Sequence, residues 1–210
     1  MTDIVPGILA TTAREFKEQL HLLKFAKKIH LDVMDGKFVP NKTVGLSVLK
    51  KLFPDKEVQV HLMAHKPHKY IAPFSRLGAR ELIVHAEATE HACETLEDIR
   101  GAGMKSGIAF NPKTHVADHA DALIHADSAL VMTVQPGYSG QTFLKQPLGK
   151  ITTIRKYNPL ISIGVDGGVN LSTCKMVKPA NFAIATSAIQ TADEPRQAWK
   201  QLTRIVSPRI

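Results

Sequence analysis

Short runs of β-branched and other apolar residues alternate along this chain with longer stretches in which apolar positions recur every three or four residues. Residues 3–9, 28–32, 57–63, 81–85, 105–110, 128–132, 162–165 and 182–185 read as strands. Residues 12–23, 44–53, 67–77, 91–102, 116–125, 147–157, 171–178 and 194–206 read as helices. Local punctuation supports several of these limits. Thr12 and Glu15 stand at capping-box spacing, ahead of Phe16, Leu20 and Leu23 on one face. Pro67 opens the third helix, and Gly101 and Gly103 mark the end of the fourth.

Strands separated by helices pair in parallel, because a parallel pair needs a crossover between its members. Eight such units, with no composition break, linker or sequence repeat, predict an α/β fold of the closed (β/α)8 TIM-barrel type, formed as one domain over residues 1–210. An open doubly wound sheet shares the rhythm but normally carries a glycine fingerprint after its first strand. Leu9-Ala10-Thr11-Thr12 offers none.

Composition then narrows the function classes. With 44% hydrophobic and 22% charged residues, the chain has the makeup of a globular protein rather than a disordered one. Its 27 basic and 19 acidic residues leave a net charge of +8, which raises the question of a nucleic-acid partner. The basic residues are scattered, however, with Lys27-Lys28 and Lys50-Lys51 the longest runs, and no clustered patch is interleaved with stacking aromatics. The excess reads as a solvated surface that also favours arrival of an anionic small substrate, not as a nucleic-acid surface. Cys93 and Cys174, far apart in sequence, suggest no disulfide framework. No stretch approaches the ~18 unbroken apolar residues of a membrane helix, and residues 1–6 lack the pattern of a signal peptide. The expectation is a reduced, cytoplasmic protein with no membrane partner.

A parallel barrel builds its active site at the C-terminal ends of its strands. Side chains two apart on a strand share a face, so His30 and Asp32 point the same way, as do His61 and Met63. If that face is the interior, His30, Asp32, His61 and Asp166 converge near the mouth. Two imidazoles and two carboxylates suit one divalent transition metal per chain: zinc, ferrous iron, manganese or cobalt. Taken singly, each is equally a polar strand end. Glycine-rich turns form a second group: Gly137-Tyr138-Ser139-Gly140 after strand six, Gly167-Gly168 after strand seven and Thr186-Ser187 after strand eight. In this fold those loops commonly cradle phosphate with backbone N–H groups. Met34, Met63 and Met132 also fall at strand ends, as core filling or as an apolar lining without acid or base. His85 and Glu87 read as a supporting polar network, and His65, His68, His115, His119 and His125 as surface residues.

The segments His30-Leu-Asp-Val-Met-Asp-Gly-Lys-Phe-Val-Pro-Asn41, Val60-His-Leu-Met63, His85-Ala-Glu-Ala88, Leu130-Val-Met-Thr-Val-Gln-Pro-Gly137 and Val165-Asp-Gly-Gly168 resemble the ribulose-phosphate 3-epimerase family. The resemblance implies a ribulose-phosphate-binding barrel that interconverts D-ribulose 5-phosphate and D-xylulose 5-phosphate by inversion at C3. It implies metal ligation by His30, Asp32, His61 and Asp166, with Asp32 and Asp166 as the two acid–base residues. It places Gly7, His61, the three methionines and the glycine-rich loops against a sugar phosphate, and implies a homo-oligomer, dimer or hexamer. Several positions depart from the family's usual pattern. Gly7 replaces a serine, Ser139 a glycine, Gly164 a glutamate or glutamine, and Thr186 a glycine. A ketohexose 6-phosphate such as allulose 6-phosphate therefore stands as the alternative substrate, and a barrel that binds sugar phosphate without turnover as a further reading.

Overall fold

The strand runs close on one another in sequence order. The computed structural model describes residues 1–138 and 140–207. Its strands are β1 (Asp3–Ile8), β2 (Lys28–Met34), β3 (Glu57–Met63), β4 (Glu81–His85), β5 (Lys105–Phe110), β6 (Ser128–Met132), β7 (Ser162–Asp166) and β8 (Phe182–Ala185). Each pairs in parallel with its neighbours, and β8 returns to pair with β1, giving a closed barrel. The helices are α1 (Ala13–Leu22), α2 (Leu46–Leu52), α3 (His68–Leu77), α4 (Ala92–Gly101), α5 (Ala120–His125), α6 (Gly149–Tyr157), α7 (Ser187–Gln190) and α8 (Pro195–Val206).

Caps read from the sequence are formed. Thr12 accepts from the Glu15 N–H while Glu15 reaches back to the cap, so α1 starts where its first orphan donors are satisfied. Helix α3 follows Pro67 and ends at Gly78, whose φ of 84° is left-handed. The eight strands share one apolar layer with the helices, in which Ile8, Phe16, Leu31, Leu62, Phe74 and Phe110 are fully buried.

The strands' other face fills the bore of the barrel, and there the two sides differ. Val5, Ile83, Ala109, Leu130, Met132, Phe182 and Ile184 form an apolar cluster. Strands β2 to β4 instead bury His30, Asp32, Gln59, His61, Glu81 and His85. Gly164 faces the Phe182 ring, which occupies the space its Cβ would need. Gly164 thus makes room for an aromatic in the apolar half.

The seventh helix differs from its expectation. Residues 171–178 form only a 3-10 turn, Cys174–Val177. Upstream of it Asn170 accepts from the Ser172 N–H and hydroxyl, and Thr173 accepts from the Asn170 N–H. Short polar side chains here capture backbone groups that a helix would use. Likewise residues 116–125 split into a 3-10 turn, Val116–His119, and α5.

Candidate active site

The ladder between β2 and β3 sets the site. Asp32 lies beside His61 and Met34 beside Met63, so the alternation that sends Leu31 and Val60 outward sends His30, Asp32 and His61 into the bore. Asp166, last residue of β7, enters from the far side and stands beside Met132 of β6. Thr133 fixes that end: its N–H and hydroxyl both donate to the Asp166 carbonyl, at 2.7 and 2.9 Å, and the hydroxyl also reaches the Gly167 carbonyl.

One ligand atom from each of His30, Asp32, His61 and Asp166 lies within 4.8 Å of all the others. His30 Nε2 is 3.4 Å from Asp32 Oδ1 and 3.9 Å from Asp166 Oδ2. His61 Nδ1 is 2.9 Å from Asp32 Oδ1 and 3.6 Å from Asp166 Oδ2. Bonds of about 2.0–2.2 Å to a tetrahedral ion give ligand–ligand edges of roughly 3.3–3.6 Å, so these spacings fit a divalent metal. Chemistry agrees with spacing. His30 is fully buried, and its Nε2 has no hydrogen-bond partner, which is costly unless a cation or substrate satisfies it.

The two carboxylates are held differently. Burial alone would raise Asp32, but the adjacent His30 and His61 imidazoles outweigh it and hold the group below the usual carboxylate range. Burial pushes Asp166 up to about 6, and the nearby negative charge of Asp32 adds to the rise. Behind the cluster, His30 Nδ1 contacts Gln59 Oε1 at 2.8 Å, and Gln59 Nε2 donates to Glu81 Oε2 at 2.7 Å. On the other flank His61 Nε2 meets His85 Nε2 at 2.8 Å, and His85 Nδ1 meets Glu87 Oε2 at 3.2 Å.

Above these groups opens a narrow cleft. Asp32 and Asp166 reach its floor, and Met34, Met63 and Met132 line its wall. Gly137, Tyr138, Gly140, Gly167, Gly168, Thr186 and Ser187 line the remainder. His30 and His61 lie beneath the lining, fully buried. Ser139 falls outside the described residues. Gly137, Gly140, Gly167 and Gly168 all have positive φ, and a Cβ on Gly167 would press on Val134. Thr186 has φ −99°, so no left-handed strain attends the threonine.

Gly7 is not part of the cleft lining. A Cβ at this position would overlap Thr186 Oγ1 and sit 3.2 Å from Ile184 Cγ2, and no positive φ calls for glycine. Gly7 is glycine because the Thr186 side chain takes its space. Other residues join the site without having been singled out. Gln59 and Glu81 support His30. Asp35 accepts from the N–H groups of Lys37, Phe38 and His65, tying the loop after β2 to the loop after β3. Asn41 donates to the Gly137 carbonyl, and Gln141 to the carbonyls of Gln135 and Tyr138. His65, His68 and His115 are exposed, whereas His119 and His125 are half-buried, the latter 2.9 Å from Glu97.

A family model described as the ribulose-phosphate 3 epimerase family matches residues 3–190. The ribulose-phosphate 3-epimerase of Mycobacterium leprae is 36% identical, covering 99% of this chain and 97% of its own. That of Bacillus subtilis is 38% identical, covering 96% and 98%. Among solved structures, 3-hexulose-6-phosphate synthase from Salmonella typhimurium superposes with a TM-score of 0.71 over 98% of each chain at 17% identity, a likeness of fold alone. Among the described residues no helix is long and apolar enough to cross a membrane.

Proposed function

The chain belongs to the ribulose-phosphate 3-epimerase family, and from that premise we propose that it inverts C3 of D-ribulose 5-phosphate to give D-xylulose 5-phosphate, using Asp32 and Asp166 as the acid–base pair. The observation that carries the reading is the meeting of two carboxylates from separate strands at the floor of one cleft, beside two imidazoles. Inversion next to a carbonyl removes a proton from one face of C3 and returns one to the other. One carboxylate takes the first proton as base, and the other, protonated, gives the second; the reverse reaction exchanges their roles. Between the two transfers the substrate is an enediolate with negative charge on oxygen.

His30, Asp32, His61 and Asp166 would hold a divalent ion, with zinc, ferrous iron, manganese or cobalt matching two nitrogens and two oxygens. When bound, it supplies Lewis-acid stabilisation of the developing oxygen charge. Met34, Met63 and Met132 wall the floor with side chains that neither donate nor take protons and that exclude water. The phosphate is assigned to the glycine-rich loops, where Gly140, Gly168, Thr186 and Ser187 line the cleft and their backbone N–H groups are the proposed donors.

A ketohexose 6-phosphate is the second reading, favoured by one observation: Thr186 stands in the cleft lining, with its hydroxyl against Gly7, where the family's usual pattern has glycine and serine. Turnover of ketopentose and ketohexose phosphates, measured after chelation and with each metal restored, tests both. Preferred turnover of ribulose 5-phosphate with C3 hydrogen exchanging into deuterated water supports the proposal. Turnover only of the hexose phosphate, or full activity without metal, overturns it in substrate or in mechanism.

A further inference from the structure

A histidine binds metal through only one nitrogen, so the hydrogen on its other nitrogen must find an acceptor. The environments of His30 and His61 each contain a chain of hydrogen bonds that ends in a carboxylate. For His30 the chain runs down the bore. Glu81 accepts only: Ser128 donates to its Oε1 and Gln59 Nε2 to its Oε2, with Lys28 Nζ 3.7 Å away. Because the amide nitrogen of Gln59 is committed to Glu81, its carbonyl faces His30 Nδ1, which must then carry the hydrogen. Nε2 is left bare, and it is the buried atom without a partner. For His61 the chain runs across the barrel. Glu87 accepts from the Asn111 N–H and faces His85 Nδ1. If His85 donates there, its Nε2 is bare and His61 donates from Nε2, which leaves the His61 Nδ1, 2.9 Å from Asp32 Oδ1, bare for an ion held between them.

We propose that Gln59 with Glu81, and His85 with Glu87, are positioning residues that hold the two histidines as opposite tautomers, baring Nε2 of His30 and Nδ1 of His61 toward the paired carboxylates. The inference rests on the metal reading given above. It has a spatial consequence. The His30 chain ends at Glu81, beside Lys28, the first residue of β2, so residues toward the opposite mouth of the barrel set metal affinity at the catalytic mouth. Neither Gln59 nor Glu81 lines the cleft, so neither touches substrate.

Zinc affinity, measured by competition with a chelator, tests the idea in three variants. Gln59→Leu removes the acceptor of His30 and weakens zinc binding by about 10–100-fold. Glu81→Gln keeps the volume and the fold but lets the Gln59 amide turn over, and it weakens zinc in the same direction. Leu130→Val, in the apolar cluster of the bore on β6, lowers the melting temperature while zinc affinity stays at the wild-type value. Wild-type zinc affinity in both Gln59→Leu and Glu81→Gln overturns the proposal, as does an equal loss in Leu130→Val. Nitrogen NMR of the wild-type imidazoles, zinc-loaded, gives a readout that needs no variant: hydrogen on His30 Nδ1 and His61 Nε2 supports the assignment, and any other pattern refutes it. If wild-type protein binds no zinc or other divalent ion, the metal reading fails. The His30 spectrum of metal-free protein, taken at a pH where the ring is neutral, then decides the orienting role alone: hydrogen on Nδ1 sustains it, and hydrogen on Nε2 overturns it.

Discussion

Replacing Gly7 by serine is expected to destabilise the protein, and replacing Thr186 by glycine in the same chain is expected to restore much of the loss. A Cβ at Gly7 would overlap Thr186 Oγ1 and approach Thr186 Cβ at 3.1 Å and Ile184 Cγ2 at 3.2 Å. Overpacking of this kind costs about 1–3 kcal/mol. Gly7 sits in β1 beside His30, so the backbone has little freedom to retreat. Thr186→Gly alone relieves no strain, because φ there is −99°; it costs about 0.5–1 kcal/mol in chain entropy, plus lost contacts. In the Thr186→Gly background the Thr186 atoms are gone and only the Ile184 contact remains, so Gly7→Ser becomes close to neutral, the tight contact offset by a side chain that narrows the unfolded ensemble. The coupling between the two changes is therefore about 1–3 kcal/mol. Urea unfolding of the four proteins measures it directly. At this chain length each kcal/mol corresponds to about 2–4 °C in melting temperature. Additive effects, to within about 0.5 kcal/mol, would show that the two positions do not share space and would refute the reasoning.

Asp32→Asn and Asp166→Asn are each expected to lower turnover by at least ~10²-fold; elemental analysis of the same samples separates loss of proton transfer from loss of metal, and a metal-loaded Asp166→Asn enzyme with near-normal turnover would remove that residue from the mechanism. Asp35 gives a pH prediction. Burial raises its carboxyl, but the Phe38, Lys37 and His65 N–H groups outweigh it and hold the group below the usual range. A depressed folded value means that its contribution is fully present above the unfolded value of about 3.9 and is lost as pH falls through the folded one. Melting curves of wild type and Asp35→Ala should accordingly converge as acid is added below about pH 4, and a constant gap down the whole range would contradict the assignment.

Strands β3, β4, β5, β6 and β8 begin and end at the residues where the hydrophobic pattern places them. Strand β2 runs two residues further, to Met34, and β7 one further, to Asp166. Both extensions contain an ionisable group or its neighbour, which a pattern of burial reads as leaving the core, whereas the ladder to β3 or β6 continues through it. The convergence of His30, Asp32 and His61 was legible because period-two alternation determines the face. Gln59 and Glu81 were not: on a strand such residues ordinarily read as solvent-facing, and only closure of the barrel turns them inward. The Gly7–Thr186 exchange was visible as two separate oddities; that they are one event depends on the pairing of β1 with β8, which brings together residues far apart in sequence.

That last pairing also has a consequence in time. Strand β1 hydrogen-bonds on one side to β2 and on the other only to β8, with Asp3 beside Phe182. At synthesis rates of about 5–20 residues per second, roughly 10–35 s pass between the emergence of the two partners. Throughout that interval the nascent chain presents an unpaired edge, the feature that invites pairing with another chain. The bore is still open, and Asp166 has not joined His30, Asp32 and His61 until close to the end of it. The chain thus spends its most exposed moments on the ribosome with three of the four groups of its cluster already translated and the fourth still to come.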